Sequence, residues 1–286
     1  MPVRKPPTGR QRRLGAELRR MREQVGLSVT EAAALHRVDK TAISNTESAR
    51  FGVSADRVRV WAANYSCPDQ AYIDALADMA RERAGARDNW WDPYRDSMAS
   101  FMLDLAELEY HAVRLRHVQI THLPGLLQHE DYARAVFREA IPPLAPRAFD
   151  LQVEFRLRRR ALLDRADPPH CSFLVHEAAL RMLFGDRAVV RRQLEELLKQ
   201  SERQSVNLRV IPFAAGGFPN AGSSTMYASG PVRQLDTVQI DAPNAITFLD
   251  SETHLANYHV VFDRMEQRSL ESGGSRDFIR KVLHEL

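Results

Sequence analysis

Lys40, Thr41, Ser44 and Asn45 occupy positions i, i+1, i+4 and i+5 of one short segment, a spacing that gathers them on one face if the segment is helical. The chemistry available to such a face is the reading of base edges. Asn matches the donor and acceptor of adenine, Lys donates to guanine, and Ser or Thr hydroxyls serve either base. A helix delivers these groups only if neighbouring elements hold it rigidly, and the flanking sequence predicts those elements. Leu14, Leu18, Met21 and Val25 form an apolar stripe at helical spacing, closed by Gly26, so a first helix is expected to end there. Ser28 and Glu31 have capping-box spacing, which starts a second helix at Val29. Ala32 and Ala33 are small enough for close helix approach, and Leu35 and Val38 are expected to be its core contacts. Asp39 is placed to cap a third helix from Lys40 to about Ser48, with Ile43 and Thr46 pointing inward.

The stretch LGAELRRMREQVGLSVTEAAALHRVDKTAISNTESAR, Leu14 to Arg50, resembles the helix-turn-helix of the XRE family of bacterial regulators. Helices over 54–64 and 69–83 would complete that family's five-helix domain, here spanning 13–84. The resemblance implies base reading from Lys40, Thr41 and Asn45, a phosphate contact from Ser28, and an Arg22–Glu47 pair fixing the angle between the first and third helices. Ser44 shares the reading face, and Arg50 adds a phosphate contact. The chain departs from the family where Val29 replaces a common Gln, and where Arg37 and Ala49 replace common glycines. A non-glycine residue at positive φ costs on the order of 1 kcal/mol.

Charge follows this organisation. Residues 1–64 hold 13 Lys+Arg against 6 Asp+Glu, a net +7, and the remainder holds 27 against 31, a net −4. The excess of positive charge lies with the motif, as an electrostatic footprint for nucleic acid should. Residues 1–12 contain three prolines and no apolar period, so a disordered basic arm is expected, its Arg12 with the adjoining Arg13 available to DNA phosphates.

Beyond Pro93 the chain carries helical and strand patterns in mixture. Helices are expected from Ala99 to Leu115, near His129, over 146–164, 177–184, 187–202, 252–269 and 275–285, with strands at 171–175, 206–210, 224–229, 236–240 and 245–249. Trp90 and Trp91 suit a local aromatic anchor. Arg156, Arg158, Arg159 and Arg160 crowd one helix, where a salt-bridged or solvated face is the commoner outcome. The fold class is thus multidomain: an all-α five-helix domain, then a mixed α/β (α+β) domain over 95–286 whose small sheet, about five strands, is flanked by helices.

Catalytic and metal motifs fail on inspection. His176-Glu177 opens like a zinc-protease HExxH, but Leu180 stands where the second His is needed. Gly217 and Gly222 have phosphate-loop spacing without the Lys. Asp250, Glu252 and His254 suit capping and surface roles better than chelation. Cys67 and Cys171 form no CxxC, so neither zinc nor a disulfide framework is implied. No enzyme, cofactor or metal is expected, and no apolar run approaches the ~20 residues of a membrane helix.

PGLLQHEDYAR, FLVHEAALR, LRVIPF with its Gly-rich sequel, and FLDSETHLANY leading into VFDRM resemble the C-terminal domain of antitoxin-like (WhiJ-like) actinobacterial transcriptional regulators. Together the two resemblances imply a cytoplasmic, nucleoid-associated, dimeric repressor. It would read a near-palindromic operator in double-stranded DNA, with a C-terminal domain sensing a ligand or partner. The alternative they imply is an antitoxin-like protein that binds a small partner encoded nearby and regulates its own operon.

Overall fold

The computed structural model describes residues 6–84, 89–242 and 245–286. The outer part of the expected arm, residues 1–5, and much of the expected interdomain break, residues 85–88, lie outside the described residues. The chain divides into two compact units, Met1–Leu108 and Glu109–Leu286.

The first unit is built from α1 (Gly9–Gln24), α2 (Val29–His36), α3 (Lys40–Glu47), α4 (Ala55–Asn64) and α5 (Gln70–Ala84), followed by the start of α6 (Ser100–His111). Leu14, Leu18 and Met21 are buried as their spacing predicts, with Ile43, Val58, Trp61 and Leu76 in the same core. Three expectations need correction. Val25 is 42% exposed because α1 stops at Gln24 and Val25 is already its C-cap. Leu35 is 45% exposed: α2 buries its small Ala32 and Ala33, and the side toward α4 is taken by His36, stacked on Trp61 at 4.7 Å. Residues 9–12 are helical, not a free arm. Thr8 caps α1 in a capping box with Gln11, and α6 secures that end, with Gly9 N–H donating to Asp104 at 2.6 Å and Arg10 N–H to Glu107 at 3.2 Å.

The second unit continues through β1 (Arg114–Gln119), α7 (Glu130–Arg138), α8 (Pro146–Arg160), β2 (His170–His176), α9 (Glu177–Arg181), α10 (Arg187–Gln200), β3 (Val206–Ile211), β4 (Thr225–Ser229), β5 (Thr237–Ala242), β6 (Ala245–Leu249), α11 (Glu252–Gln267) and α12 (Ser272–Glu285). Its strands form one six-stranded sheet in the order β3-β2-β1-β4-β5-β6. The first three are parallel and the last three antiparallel, so direction reverses between β1 and β4. The sixth strand is β1, whose first two residues fall in the helix expected over 99–115 and whose remainder the sequence pattern assigns to no element.

Side chains alternate across this sheet. One face presents Val118, Leu174, Ile211, Tyr227 and Val238 to Leu255, Phe262 and Met265 of α11. Arg116 lies on that face as well, paired with Asp263 at 2.9 Å and Glu266 at 3.0 Å, its guanidinium 5.1 Å from the Phe262 ring centre. The opposite face carries Leu115, His117, Phe173, Leu208 and Val210, all buried. The β3 edge is closed from within the chain: Leu270 N–H donates to the Val210 carbonyl at 2.8 Å, and Val210 N–H donates to Ser275 Oγ at 2.9 Å. Free strand edges invite pairing with other chains, and this edge is removed from that hazard.

His117 sits in the central strand, stacked on Phe173 at 4.9 Å with no partner for Nε2. Burial, then the nearby Arg159 cation, pushes its pKa down to about 3. The folded state therefore holds it neutral while the unfolded chain protonates it near pH 6.5. Stability falls as pH drops below 6.5 and continues to fall toward 3. We expect His117→Gln, which cannot titrate, to lose about 2 kcal/mol less than the parent between pH 7 and pH 5 in urea unfolding. Identical pH responses would remove His117 as the cause.

Candidate nucleic-acid interface

The third helix is fixed at its C-terminal end. Arg22 near the end of α1 donates from Nε to Glu47 Oε1 at 2.6 Å and from Nη2 to Oε2 at 2.8 Å, while Nη1 donates to the Leu27 carbonyl at 2.7 Å. One guanidinium thus joins α1, the segment before α2, and α3. Both charged side chains are almost fully buried, 7% and 6% exposed. The Glu47 hydrogen bond raises the Arg22 pKa against the opposing effect of burial. Bidentate pairing of this kind fixes direction as well as distance.

A second contact needs a glycine. A Cβ on Gly15 would lie 2.5 Å from the Glu47 carbonyl oxygen and 2.8 Å from that of Thr46. The backbones of α1 and α3 therefore meet there with no room for a methyl group. Glu17, fully buried, ties the same helix to α5 by accepting from Arg13 Nε at 2.6 Å, Arg20 Nη1 at 3.0 Å and the Tyr72 hydroxyl.

The turn entering α3 has the expected strain. Arg37 caps α2 in the left-handed region at φ 54° and ψ 47°, and Ala49, after α3, has φ 57°. Each stands where a glycine would be relaxed, at a cost of about 1–2 kcal/mol per residue. Ser28 forms the predicted capping box, its Oγ accepting from Glu31 N–H at 3.2 Å and its N–H donating to Glu31 Oε2 at 2.8 Å. Asp39 has the N-cap backbone of α3, but its side chain makes no capping bond.

With Ile43 and Thr46 inward, Lys40, Thr41 and Ser44 are exposed and Asn45 half-buried on the outer face. Ser28 and Arg50 are exposed too. Arg12 and Arg13 are not free. Arg12 pairs with Asp104 at 2.5 Å, and Arg13, only 11% exposed, is committed to Glu17. The acidic residues of α6 that hold the start of α1 were not visible in sequence, since Asp104 and Glu107 lie more than ninety positions away. They also border a cavity of about 90 Å³ lined by Pro7, Trp91 and Leu103. Burial raises the Glu107 pKa.

The motifs set aside in the second unit have structural duties. His176 caps α9, its Nδ1 accepting from Ala178 N–H at 3.3 Å. Glu177 accepts from Phe213 N–H at 2.8 Å and from Arg181 at 2.7 Å. Ser251 Oγ lies 2.9 Å from His254 Nδ1. Among the described residues no group of three His, Cys, Asp or Glu is placed to hold a metal, Cys67 and Cys171 are free thiols, and no helix is long and apolar enough to cross a membrane. Of the arginine run on α8, Arg159 and Arg160 are paired with Glu109 and Glu196, Arg158 lies on the exposed side near Glu154, and Arg156 donates to the Gln128 amide oxygen.

Five helices, a rigid corner between α2 and α3, and a polar outer face on α3 define a DNA-binding regulator of the helix-turn-helix class, and residues 13–76 match the family described as helix-turn-helix domain. Residues 102–281, more than half of the chain, match the family described as domain of unknown function (DUF5753), and the chain belongs to that family. No curated protein and no solved structure matches the chain.

The Gly15 contact yields a direct test. An alanine in a helix interior ordinarily gains about 1 kcal/mol over glycine. Here we expect Gly15→Ala to destabilise by about 1–3 kcal/mol, because two carbonyl oxygens must move. A variant as stable as the parent in chemical denaturation would mean that the α1–α3 approach is looser than described.

Proposed function

We propose that the protein is a transcriptional repressor that acts as a homodimer and lays α3 in the DNA major groove. Lys40, Thr41, Ser44 and Asn45 read base edges there, and Ser28 and Arg50 hold phosphates on either side. Arg12 and Arg13 contribute to the surrounding positive field, weakened by their ion pairs with Asp104 and Glu17. The observation that carries this reading is the burial of Ile43 and Thr46 beneath a helix whose four outward groups are all competent for base contacts. Two such helices in a symmetric dimer require half-sites about one helical turn apart, roughly 34 Å, on a near-palindromic operator.

The second unit is, in this reading, a sensor without catalytic activity, and the protein works in the cytoplasm on the chromosome. Ligand binding there sets the affinity of the dimer for its operator. Partner binding, the antitoxin-like alternative, draws on one observation: Met182, Leu183 and Phe213 are 40%, 51% and 57% exposed.

The test is selection of bound sites from a random DNA pool by the full-length protein, repeated with Asn45→Ala. The parent should enrich paired half-sites. The variant should relax discrimination at one base pair per half-site by about 1–3 kcal/mol while keeping its affinity for unrelated DNA. If the variant enriches the same sites with the same stringency, Asn45 does not read a base and the α3 assignment is wrong.

A further inference from the structure

The arginines of α8 separate by their partners. Arg159 grips Glu109 at 2.9 Å through Nε and 2.5 Å through Nη2. Arg160 meets Glu196 at 2.5 Å. Arg158 lies on the outside, 3.8 Å from Glu154. Arg156 differs from all three. Among the described residues no carboxylate oxygen lies within 4.0 Å of its guanidinium. Its Nη1 donates to the amide oxygen of Gln128 at 2.7 Å, and its Nε is buried without an acceptor. The guanidinium carbon stands 4.9 Å from the centre of the Phe137 ring.

Taking a cation out of water without a counter-charge is costly. Burial, then the Arg159 charge, draws the Arg156 pKa down to about 10 although the charges of Glu109 and Asp241 act the other way, the direction opposite to that of a paired arginine such as Arg22. The surroundings are shaped to hold it nevertheless. A Cβ on Gly125 would stand 3.3 Å from Arg156 Cδ and Nη1, so a glycine admits the side chain. Gly125 and Gln128 belong to the segment leaving the carboxyl end of β1, next to the place where strand direction reverses toward β4. In open sheets with parallel strands, ligands commonly bind beyond the carboxyl ends of the strands, the end at which this segment leaves β1. His122, in the same segment, has its pKa lowered by partial burial and then by the Arg156 charge.

We propose that Arg156 anchors a binding site for a small oxyanion, a carboxylate or phosphate group, in the C-terminal domain. Gln128 holds Nη1; Nη2–H and, once the cover over the buried Nε shifts, Nε–H are the fork that receives two oxygens. This rests on the sensing reading above by giving the sensor a ligand class. Asp241 is the one acidic group whose charge reaches both Arg156 and His122. It is exposed and accepts from Gln239 Nε2 at 2.7 Å, so it repels the incoming anion and does not neutralise the arginine by contact.

The experiment titrates the full-length protein with inorganic phosphate and, separately, with acetate at constant ionic strength, following the Arg156 Nε–H resonance by NMR. A saturable shift with phosphate alone assigns a phosphate ligand, with acetate alone a carboxylate, and with both a general oxyanion site. Arg156→Lys keeps the charge and loses the fork, and should weaken the apparent affinity roughly tenfold or more, with Arg158→Lys unchanged. Gly125→Ala, which crowds the guanidinium, should weaken it too and serves if Arg156→Lys does not fold. Asp241→Asn should tighten binding. The proposal is overturned if neither anion moves the resonance at roughly 0.1 M, a hundredfold above a millimolar Kd. It is equally overturned if Arg158→Lys weakens binding as much as Arg156→Lys, or if Asp241→Asn weakens it. Operator affinity measured with and without the bound anion separates the two readings: binding without effect on DNA keeps the site and rejects the sensor.

Discussion

The Arg22 guanidinium is the constraint on which the orientation of α3 depends. It has five donors in a rigid plane, and its three nitrogens tie α1 to two other pieces of chain: two donate to Glu47 and one to the Leu27 carbonyl. A lysine in its place would offer a point charge without the fork. Because both partners are buried, removing either leaves a charge that water does not reach, a loss typically of about 3–5 kcal/mol. The pair is thus a poor device for adding stability and a good one for defining angle, since only one arrangement of α1 and α3 satisfies it. Gly15 works toward the same end by contact, bringing α1 against the last carbonyls of α3.

Much of this corner was legible in the sequence because its determinants are local. The Ser28–Glu31 capping box, Gly26 after α1, and the alternation of inward Ile43 and Thr46 with outward polar groups act within a few residues of one another. Where the sequence misled, the cause lay at a distance. Leu105, Leu108, Ala112 and Leu115 keep helical spacing across a boundary where the chain turns from α6 into β1, so periodicity alone joined the two. The central strand hid further behind Arg116 and His117, polar residues that look unfit for a core. Arg116 is accommodated by Asp263 and Glu266 of α11, some 150 positions later. The start of α1 is likewise set from a distance, since Asp104 and Glu107 hold it from α6. The face of α3 was read from sequence, while the ion pairs of Arg12 and Arg13 needed the fold.

The two units use buried arginine differently. In the first, Arg22 is fully matched and serves geometry. In the second, Arg159 is matched by Glu109 and Arg160 by Glu196, whereas Arg156 has only an amide oxygen and an aromatic face. Two neighbours within one turn of helix thus have a carboxylate in contact, and the third does not.

The claim that the Arg22–Glu47 pair sets the direction of α3 is tested most directly by a double-mutant cycle, Arg22→Ala, Glu47→Ala and the double variant. Two quantities are read for each: unfolding free energy, and the ratio of affinities for selected and unrelated DNA. The account predicts coupling of roughly 0.5–3 kcal/mol in both, with each single variant losing most of the discrimination. Coupling in stability alongside an unchanged affinity ratio would contradict it, because α3 would then hold its reading position without the pair.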